Sequence, residues 1–273
     1  MNVLSLFDGM SCGQIALDRL GIKVDQYHAS EIDKYAIQVA KKNYPNTIHL
    51  GDVTQWEEWD IDYSSIDLVT GGFPCQAWSM AGKQLGDRDE RGMLFWTMLD
   101  IMKTVLKANP KAYFLIENVK MKKEFEEYIT QHTQEALGDV DKILINSNQV
   151  SAQSRSRYYW TNIRGIQQPE DKGIVLKDIL EDGYVDRDKA HCIDANYFKG
   201  GNLKSYFEKH RRQLVFIEPN QWRKLTPLEC ERLQTVPEGY TEGVSNTQRY
   251  KMLGNGWTVD VICHILKPLE ELS

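Results

Sequence analysis

The chain has 273 residues, 41% hydrophobic and 26% charged, which suits one large or two modest globular domains. Cys12, Cys75, Cys192, Cys230 and Cys263 form an odd set without a Cys-x-x-Cys pair, which argues against a disulfide framework and a structural zinc site and for a reducing, cytoplasmic setting. A net charge of −6 advertises no polyanionic partner, no run approaches the roughly 20 apolar residues of a membrane span, and the first residues lack the basic flank of a signal peptide.

Asn2 to Phe7 reads as a first strand, after which Asp8-Gly9-Met10-Ser11-Cys12-Gly13 opens a helix reaching Leu20. Small residues at a strand-to-helix turn let a ligand approach the backbone, although a plain connector has the same composition. A second strand over Val24–Ala29 ends in Ser30-Glu31-Ile32-Asp33. Nucleotide-binding sheets place an acid about 20 residues after the glycine turn to accept hydrogen bonds from ribose hydroxyls. The acid also suits the start of the helix that follows from Tyr35. A third strand, Thr47–Leu50, again gives way to an acid in Gly51-Asp52-Val53.

The run Ile66–Thr70 reads as a short buried strand that Gly71-Gly72-Phe73-Pro74-Cys75-Gln76 turns sharply. The turn would hold Cys75 at the carboxyl end of the strand, the edge of an open α/β sheet where ligands and chemistry collect. Ala77–Gly92 has no hydrophobic period and reads as a mobile loop, of a length that tends to serve as a lid or a substrate-binding segment. A helix over Met93–Leu106 and a buried strand over Lys111–Ile116 follow, with Glu117-Asn118-Val119 at its tip. A carboxylate there is a candidate for proton handling. A helix over Lys123–Leu137 leads to a strand over Lys142–Ser147. Gln153, Arg155 and Arg157 then alternate with period two, which puts three donors on one strand face.

From about Asn162 the chain turns irregular and basic. Lys199, Lys204, Lys209, Arg211, Arg212, Arg223 and Lys224 face only Glu208 and Glu218, a balance suited to tracking phosphates and equally to a solvated face. β-like pieces are expected at Tyr197–Gly201 and Leu214–Ile217. A smaller domain is expected over 162–248, beside a main domain of 1–161 completed by 249–273. Thr226, Pro227 and Glu229 start a helix as cap, first residue and capping-box partner. Leu253-Gly254-Asn255-Gly256-Trp257 reads as a tight turn before a last helix over Thr258–Leu269. The six histidines lack metal-ligand spacing, so no metal is expected.

Taken in order, Phe7-Asp8-Gly9…Gly13, Glu31, Asp52, Gly71–Gln76, Glu117-Asn118-Val119, Gln153…Arg155…Arg157, the Arg223–Gln234 helix and Gly254-Asn255-Gly256 resemble the ordered motifs of the DNA cytosine carbon-5 methyltransferases, in their short, single-module bacterial or phage form. The resemblance implies a Rossmann-like α/β sheet with a smaller target-recognition domain. It implies Cys75 as nucleophile on cytosine carbon 6, Glu117 at ring nitrogen 3 and the exocyclic amine, and Arg155 or Arg157 at the base carbonyl and nearby phosphate. S-adenosylmethionine would be held by Phe7, Asp8, Gly9, Met10, Ser11, Gly13, Glu31, Ile32, Asp52, Val53, Pro74, Leu94, Asn255 and Trp257. Double-stranded DNA would be met by Ser79, Lys83, Arg88, Gln153, Lys209, Arg211, Arg212 and Arg223, with the target base flipped from the stack. A monomer acting in the cytoplasm at the nucleoid is expected. Gly256 departs from the pattern, because many bacterial members follow the asparagine with serine, and this bears on the role of Trp257 while leaving Asn255 as a cofactor contact. A tRNA cytosine-5 methyltransferase is the nearest alternative, although that branch carries a late Cys-Phe-Thr signature that none of these cysteines sits in. A non-catalytic DNA-binding relative would be expected to have lost Cys75 or Glu117.

Overall fold

Alternation along the strands sorts the core into two faces. Val3, Leu68, Leu115 and Tyr159 belong to one buried apolar cluster, while their chain neighbours Leu4, Val69, Phe114 and Trp160 belong to another. A sheet covered on both sides shows this pattern. The computed structural model describes residues 1–74 and 92–272. Its elements are β1 (Asn2–Leu6), α1 (Cys12–Arg19), β2 (Gln26–Ser30), α2 (Lys34–Asn43), β3 (Ile48–Gly51), β4 (Leu68–Gly71), α3 (Met93–Ala108), β5 (Tyr113–Val119), α4 (Lys123–Leu137) and β6 (Asp141–Asn146). There follow β7 (Gln153–Ser154), β8 (Ser156–Thr161), β9 (Ala190–His191), α5 (Leu203–Lys209), β10 (Leu214–Glu218), β11 (Gln221–Lys224), α6 (Pro227–Leu233), α7 (Asn246–Asn255) and α8 (Val259–Leu266).

Seven strands form the main sheet in the order β3-β2-β1-β4-β5-β8-β6. β1 pairs in parallel with both β2 and β4, and β5 extends the parallel run, whereas β8 lies antiparallel between β5 and β6. Successive crossovers therefore run outward in opposite directions from β1, which opens a crevice at the carboxyl ends of β1 and β4. The apolar faces of α1 and α8 cover one side and those of α3 and α4 the other. Tyr197, Val215 and Leu225, from the 162–248 region, join the same cluster as Val3, Ile15 and Ile262, so that region is anchored on the sheet's α1–α8 face.

Three expected elements differ. The single strand over 153–160 is broken at Arg155, whose N–H is accepted by Asn146 Oδ1 at 2.9 Å and whose carbonyl takes the Ser147 N–H at 2.9 Å. β7 consequently pairs with β9 and only β8 enters the main sheet. Tyr197–Lys199 forms a 3-10 turn rather than a strand. Gly254 and Asn255, expected in a turn, close helix α7. Gly254 is required by close packing: a Cβ there would lie 2.1 Å from the carbonyl carbon of Asp194. By contrast α6 begins as its sequence dictates, with Thr226 Oγ1 accepting from the Glu229 N–H and Glu229 reaching back to the Thr226 N–H.

Candidate active site

A cavity of about 430 Å³ opens where five parallel strands end. Phe7, Asp8 and Gly9 follow β1, Glu31, Ile32 and Asp33 follow β2, Asp52 and Val53 follow β3, and Gly72, Phe73 and Pro74 follow β4. Glu117, Asn118 and Val119 form the tip of β5, and the far wall comes from Leu94 of α3, Lys251, Met252, Gly254 and Asn255 of α7, and Gly256 and Trp257 beyond it. Phe7 adopts φ of +56°, a conformation rare for a bulky residue and a mark of constraint at the strand end.

One half of the cavity suits a nucleoside. Glu31 is fixed by three backbone donors: Gly9 to Oε2, and Ile32 and Asp33 to Oε1, each at 2.8 Å. Asp52 caps the next turn by accepting from the Thr54 N–H at 2.9 Å. Beside these carboxylates stand the apolar side chains of Phe7, Ile32, Val53, Pro74 and Leu94. Ile32 is 73% exposed, an apolar surface that a planar ring could cover. Deeper in, Asp8 accepts from Ser11 Oγ and, at 2.8 Å, from the Tyr27 hydroxyl. Burial pushes the Asp8 carboxyl up to about 6 against the pull of those donors.

The other half centres on Glu117, which is buried. Its Oε1 lies 3.0 Å from Arg157 Nε, and its Oε2 accepts the Trp257 indole N–H at 3.0 Å. Asn118, next along β5, donates to the Phe73 carbonyl at 3.1 Å and so ties this tip to the β4 turn. Arg155 is only 3% exposed. Its Nη1 reaches the Ile193 carbonyl at 2.9 Å and Cys192 Sγ at 3.3 Å, and its Nη2 reaches the carbonyls of Gly254 at 3.0 Å and Gly256 at 2.8 Å. Burial would push the Cys192 thiol up, but the Arg155 and Arg157 guanidinium groups bring it below the usual thiol range. Cys12 lines the same cavity, but there burial outweighs the Trp257 backbone hydrogen bond and the Arg155 charge and pushes its thiol up to about 12.

The family model of the C-5 cytosine-specific DNA methylases matches residues 1–179 and 122–271. The chain belongs to this family. It is 31% identical to the type II methyltransferase M1.ScrFI of Lactococcus lactis subsp. cremoris, over 99% of this chain and 78% of that one. It is 28% identical to the type II methyltransferase M.NlaX of Neisseria lactamica, over 98% and 96% of the two chains. Among solved structures, the Entamoeba histolytica methyltransferase EhMeth superposes with a TM-score of 0.76 over 100% of this chain and 99% of that one, at 16% identity. A Spodoptera frugiperda DNMT2 variant gives 0.69 over 98% and 99%, at 20% identity. Likeness at such identity speaks for the Rossmann-like methyltransferase fold.

Set against the motifs of this methylase family, the structure brings Phe7, Asp8, Gly9, Glu31, Ile32, Asp52, Val53, Pro74, Leu94, Asn255 and Trp257 to one cavity, with Glu117, Arg155 and Arg157. Met10, Ser11 and Gly13 do not reach it. Met10 and Ser11 are buried behind the wall, where Ser11 serves Asp8, and Gly13 makes room for the Tyr27 hydroxyl, 3.3 Å from where its Cβ would stand. Gln153 is no surface contact for DNA: it is fully buried and donates to the Leu233 carbonyl and Gln234 Oε1, each at 2.8 Å. Arg223 is likewise engaged inside the fold, by both oxygens of Glu229 at 2.8 Å and by Asp182. Arg212 is half-buried and reaches the Lys199 carbonyl, whereas Lys209 and Arg211 are exposed. Cys75, Ser79, Lys83 and Arg88 lie outside the described residues. Sequence reasoning missed Lys251 and Met252 because α7 itself was not foreseen. Asn118 was signalled only as part of its tripeptide.

Proposed function

We propose that this chain transfers a methyl group from S-adenosylmethionine to carbon 5 of a cytosine flipped out of double-stranded DNA. The observation that carries the reading is the sharing of one cavity by a nucleoside-shaped half, bounded by Glu31, Asp52 and apolar walls, and a half built on a buried, twice-anchored Glu117. Pro74, which precedes Cys75 in the chain, lines that cavity too. The donor set fits the cofactor: carboxylates for a ribose diol and an adenine edge, apolar side chains for the ring, and a buried Asp8 for a cationic group. The cofactor supplies an electrophilic methyl carbon when bound.

Cytosine carbon 5 is a poor nucleophile until the ring is made electron-rich. The Cys75 thiolate forms a bond to carbon 6, and Glu117 engages ring nitrogen 3 and the exocyclic amine, which stabilises the charge that develops. Carbon 5 would then take the methyl carbon as its bond to the cofactor's sulfonium sulfur breaks, the electron pair staying on that sulfur, and loss of the carbon 5 proton to solvent with expulsion of the Cys75 thiolate would restore the aromatic ring. Arg157 lines the cavity beside Glu117 and is the arginine placed near a bound base, since backbone carbonyls hold the Arg155 guanidinium. Flipping costs a few kcal/mol. The exposed Lys199, Lys204, Lys209 and Arg211, together with Ser79, Lys83 and Arg88, would offset it through phosphate contacts.

The test is methyl transfer from labelled cofactor with duplex DNA and tRNA offered side by side, to the native enzyme and to Cys75→Ala. The expected result is methylated DNA with the native enzyme and none with Cys75→Ala, which still binds DNA. Methylated tRNA without methylated DNA, or turnover surviving in the variant, would overturn the proposal.

A further inference from the structure

We infer that Trp257 is a positioning residue for Glu117, and that the site uses its indole N–H rather than its ring face. The inference rests on the reading of Glu117 as the group that engages the base. A glutamate at a strand tip has three side-chain torsions, the last of them broad, so a single anchor leaves its carboxylate plane free to rotate. Here each oxygen has its own donor: Arg157 Nε on Oε1 and Trp257 Nε1 on Oε2, both at 3.0 Å. Arg157 brings a charge to one oxygen. Trp257 orients the other with a neutral donor and adds no second positive charge.

The surroundings are shaped for this bond. A Cβ on Gly72 would stand 3.1 Å from both Glu117 Oε2 and Trp257 Nε1, so the absence of a side chain there leaves room for donor and acceptor to meet. The backbone that carries the indole is held from behind. Arg155 Nη2 grips the carbonyls of Gly254 and Gly256, and Gln234 Nε2 donates to those of Leu253 at 2.6 Å and Gly256 at 3.0 Å. Arg155 and Gln234 are buried, and their bonds fix the residue immediately before Trp257. The two alternating arginines thus converge on one carboxylate, Arg157 directly and Arg155 through the Trp257 turn.

Trp257→Phe keeps an aromatic ring but removes the indole N–H together with part of the bicycle that lies near Gly13 and Gly72, and Gly72→Ala, which keeps the indole whole, controls for that lost volume. Loss of a hydrogen bond to a carboxylate is expected to lower kcat roughly tenfold to a hundredfold, with the dissociation constant for S-adenosylmethionine, measured by calorimetry, changed less than twofold. Gly72→Ala presses on the same bond from the β4 side and should give the same split, which covers the case in which Trp257→Phe folds poorly. Unchanged kcat in both variants overturns the inference, and so does a loss of cofactor affinity equal to the loss of activity, which would make the ring a cofactor contact. Glu117→Gln separates this from the wider reading: full activity in that variant sinks the role of Glu117 itself, whereas an inactive Glu117→Gln beside a fully active Trp257→Phe sinks only the positioning role.

Discussion

Gly9 donates its backbone N–H to Oε2 of Glu31 at 2.8 Å, which ties the turn after β1 to the tip of β2 across the wall of the cavity. The other oxygen takes the N–H groups of Ile32 and Asp33, so the carboxylate organises two strand ends at once.

Replacing Glu31 tests that role. A glutamine has a single acceptor oxygen and can serve Gly9 or the Ile32 and Asp33 pair, but not both. Glu31→Ala leaves all three amides without their partner. We expect cofactor affinity, measured by calorimetry, to fall at least about tenfold for Glu31→Ala and by an intermediate factor for Glu31→Gln, as befits lost hydrogen bonds to a charged group. At saturating cofactor, kcat should stay close to native. A large drop in kcat at unchanged affinity would show that Glu31 acts elsewhere than in binding.

Asp8 should make the protein's stability fall as pH rises. Its folded-state value is about 6 against an ordinary 3.8, with burial as the main cause. The folded state therefore holds this proton more tightly than the unfolded chain does, so the contribution is fully present below pH 3.8 and is lost as pH rises through about 6. Asp8→Asn keeps an acceptor for the Tyr27 hydroxyl and a polar partner for Ser11 without the charge. Denaturant unfolding at pH 7.5 should find the variant more stable by on the order of 1–3 kcal/mol, because the site opens partly to the cavity and feels solvent. The difference should vanish towards pH 4. A variant less stable than native at pH 7.5 would mean that the two hydrogen bonds outweigh the buried charge.

The parts of the site set by local chemistry were legible in the sequence, and those set by distant partners were not. Glu31 and Asp52 follow β2 and β3, and Glu117 lies near the end of β5, where short apolar runs give way to an acid, a pattern visible without coordinates; the sheet carries β5 on to Val119, beyond the expected end at Ile116. Gln153, Arg155 and Arg157 were equivalent on a period-two reading. What separates them is the Asn146 side chain breaking the strand at Arg155, together with carbonyls from Leu233, Ile193 and Gly254, between 38 and 99 residues away. The Leu233 partner of Gln153 is 80 residues distant. Arg223 looked like one more cation in a basic strip, because nothing local shows that Asp182, 41 residues earlier, and Glu229 enclose it. α7 escaped notice for another reason: Asn246 to Lys251 carries one large apolar residue, Tyr250, so no helical stripe stands out, and Gly254 and Gly256 suggest a turn.

Gly254 shows how such a helix is held, and it predicts a reversal of sign. Inside an exposed helix, glycine to alanine stabilises by roughly 0.5–1 kcal/mol, since alanine has less backbone freedom to lose. At position 254 the added Cβ would stand 2.1 Å from the carbonyl carbon of Asp194, 2.3 Å from its oxygen and 2.4 Å from the Ala195 nitrogen. These are backbone atoms that no rotamer change can move aside. The helix must therefore lift from the 194–195 segment, which strains the Arg155 bonds to the Gly254 and Gly256 carbonyls as well. We expect Gly254→Ala to cost about 3 kcal/mol, the upper range for overpacking a rigid contact, and to lower Tm by roughly 10 °C. Methyl transfer should fall further than stability alone requires, because the carbonyls that Arg155 holds lie in the turn that carries Trp257. A melt at or above the native Tm would show that α7 is not packed at the distance described.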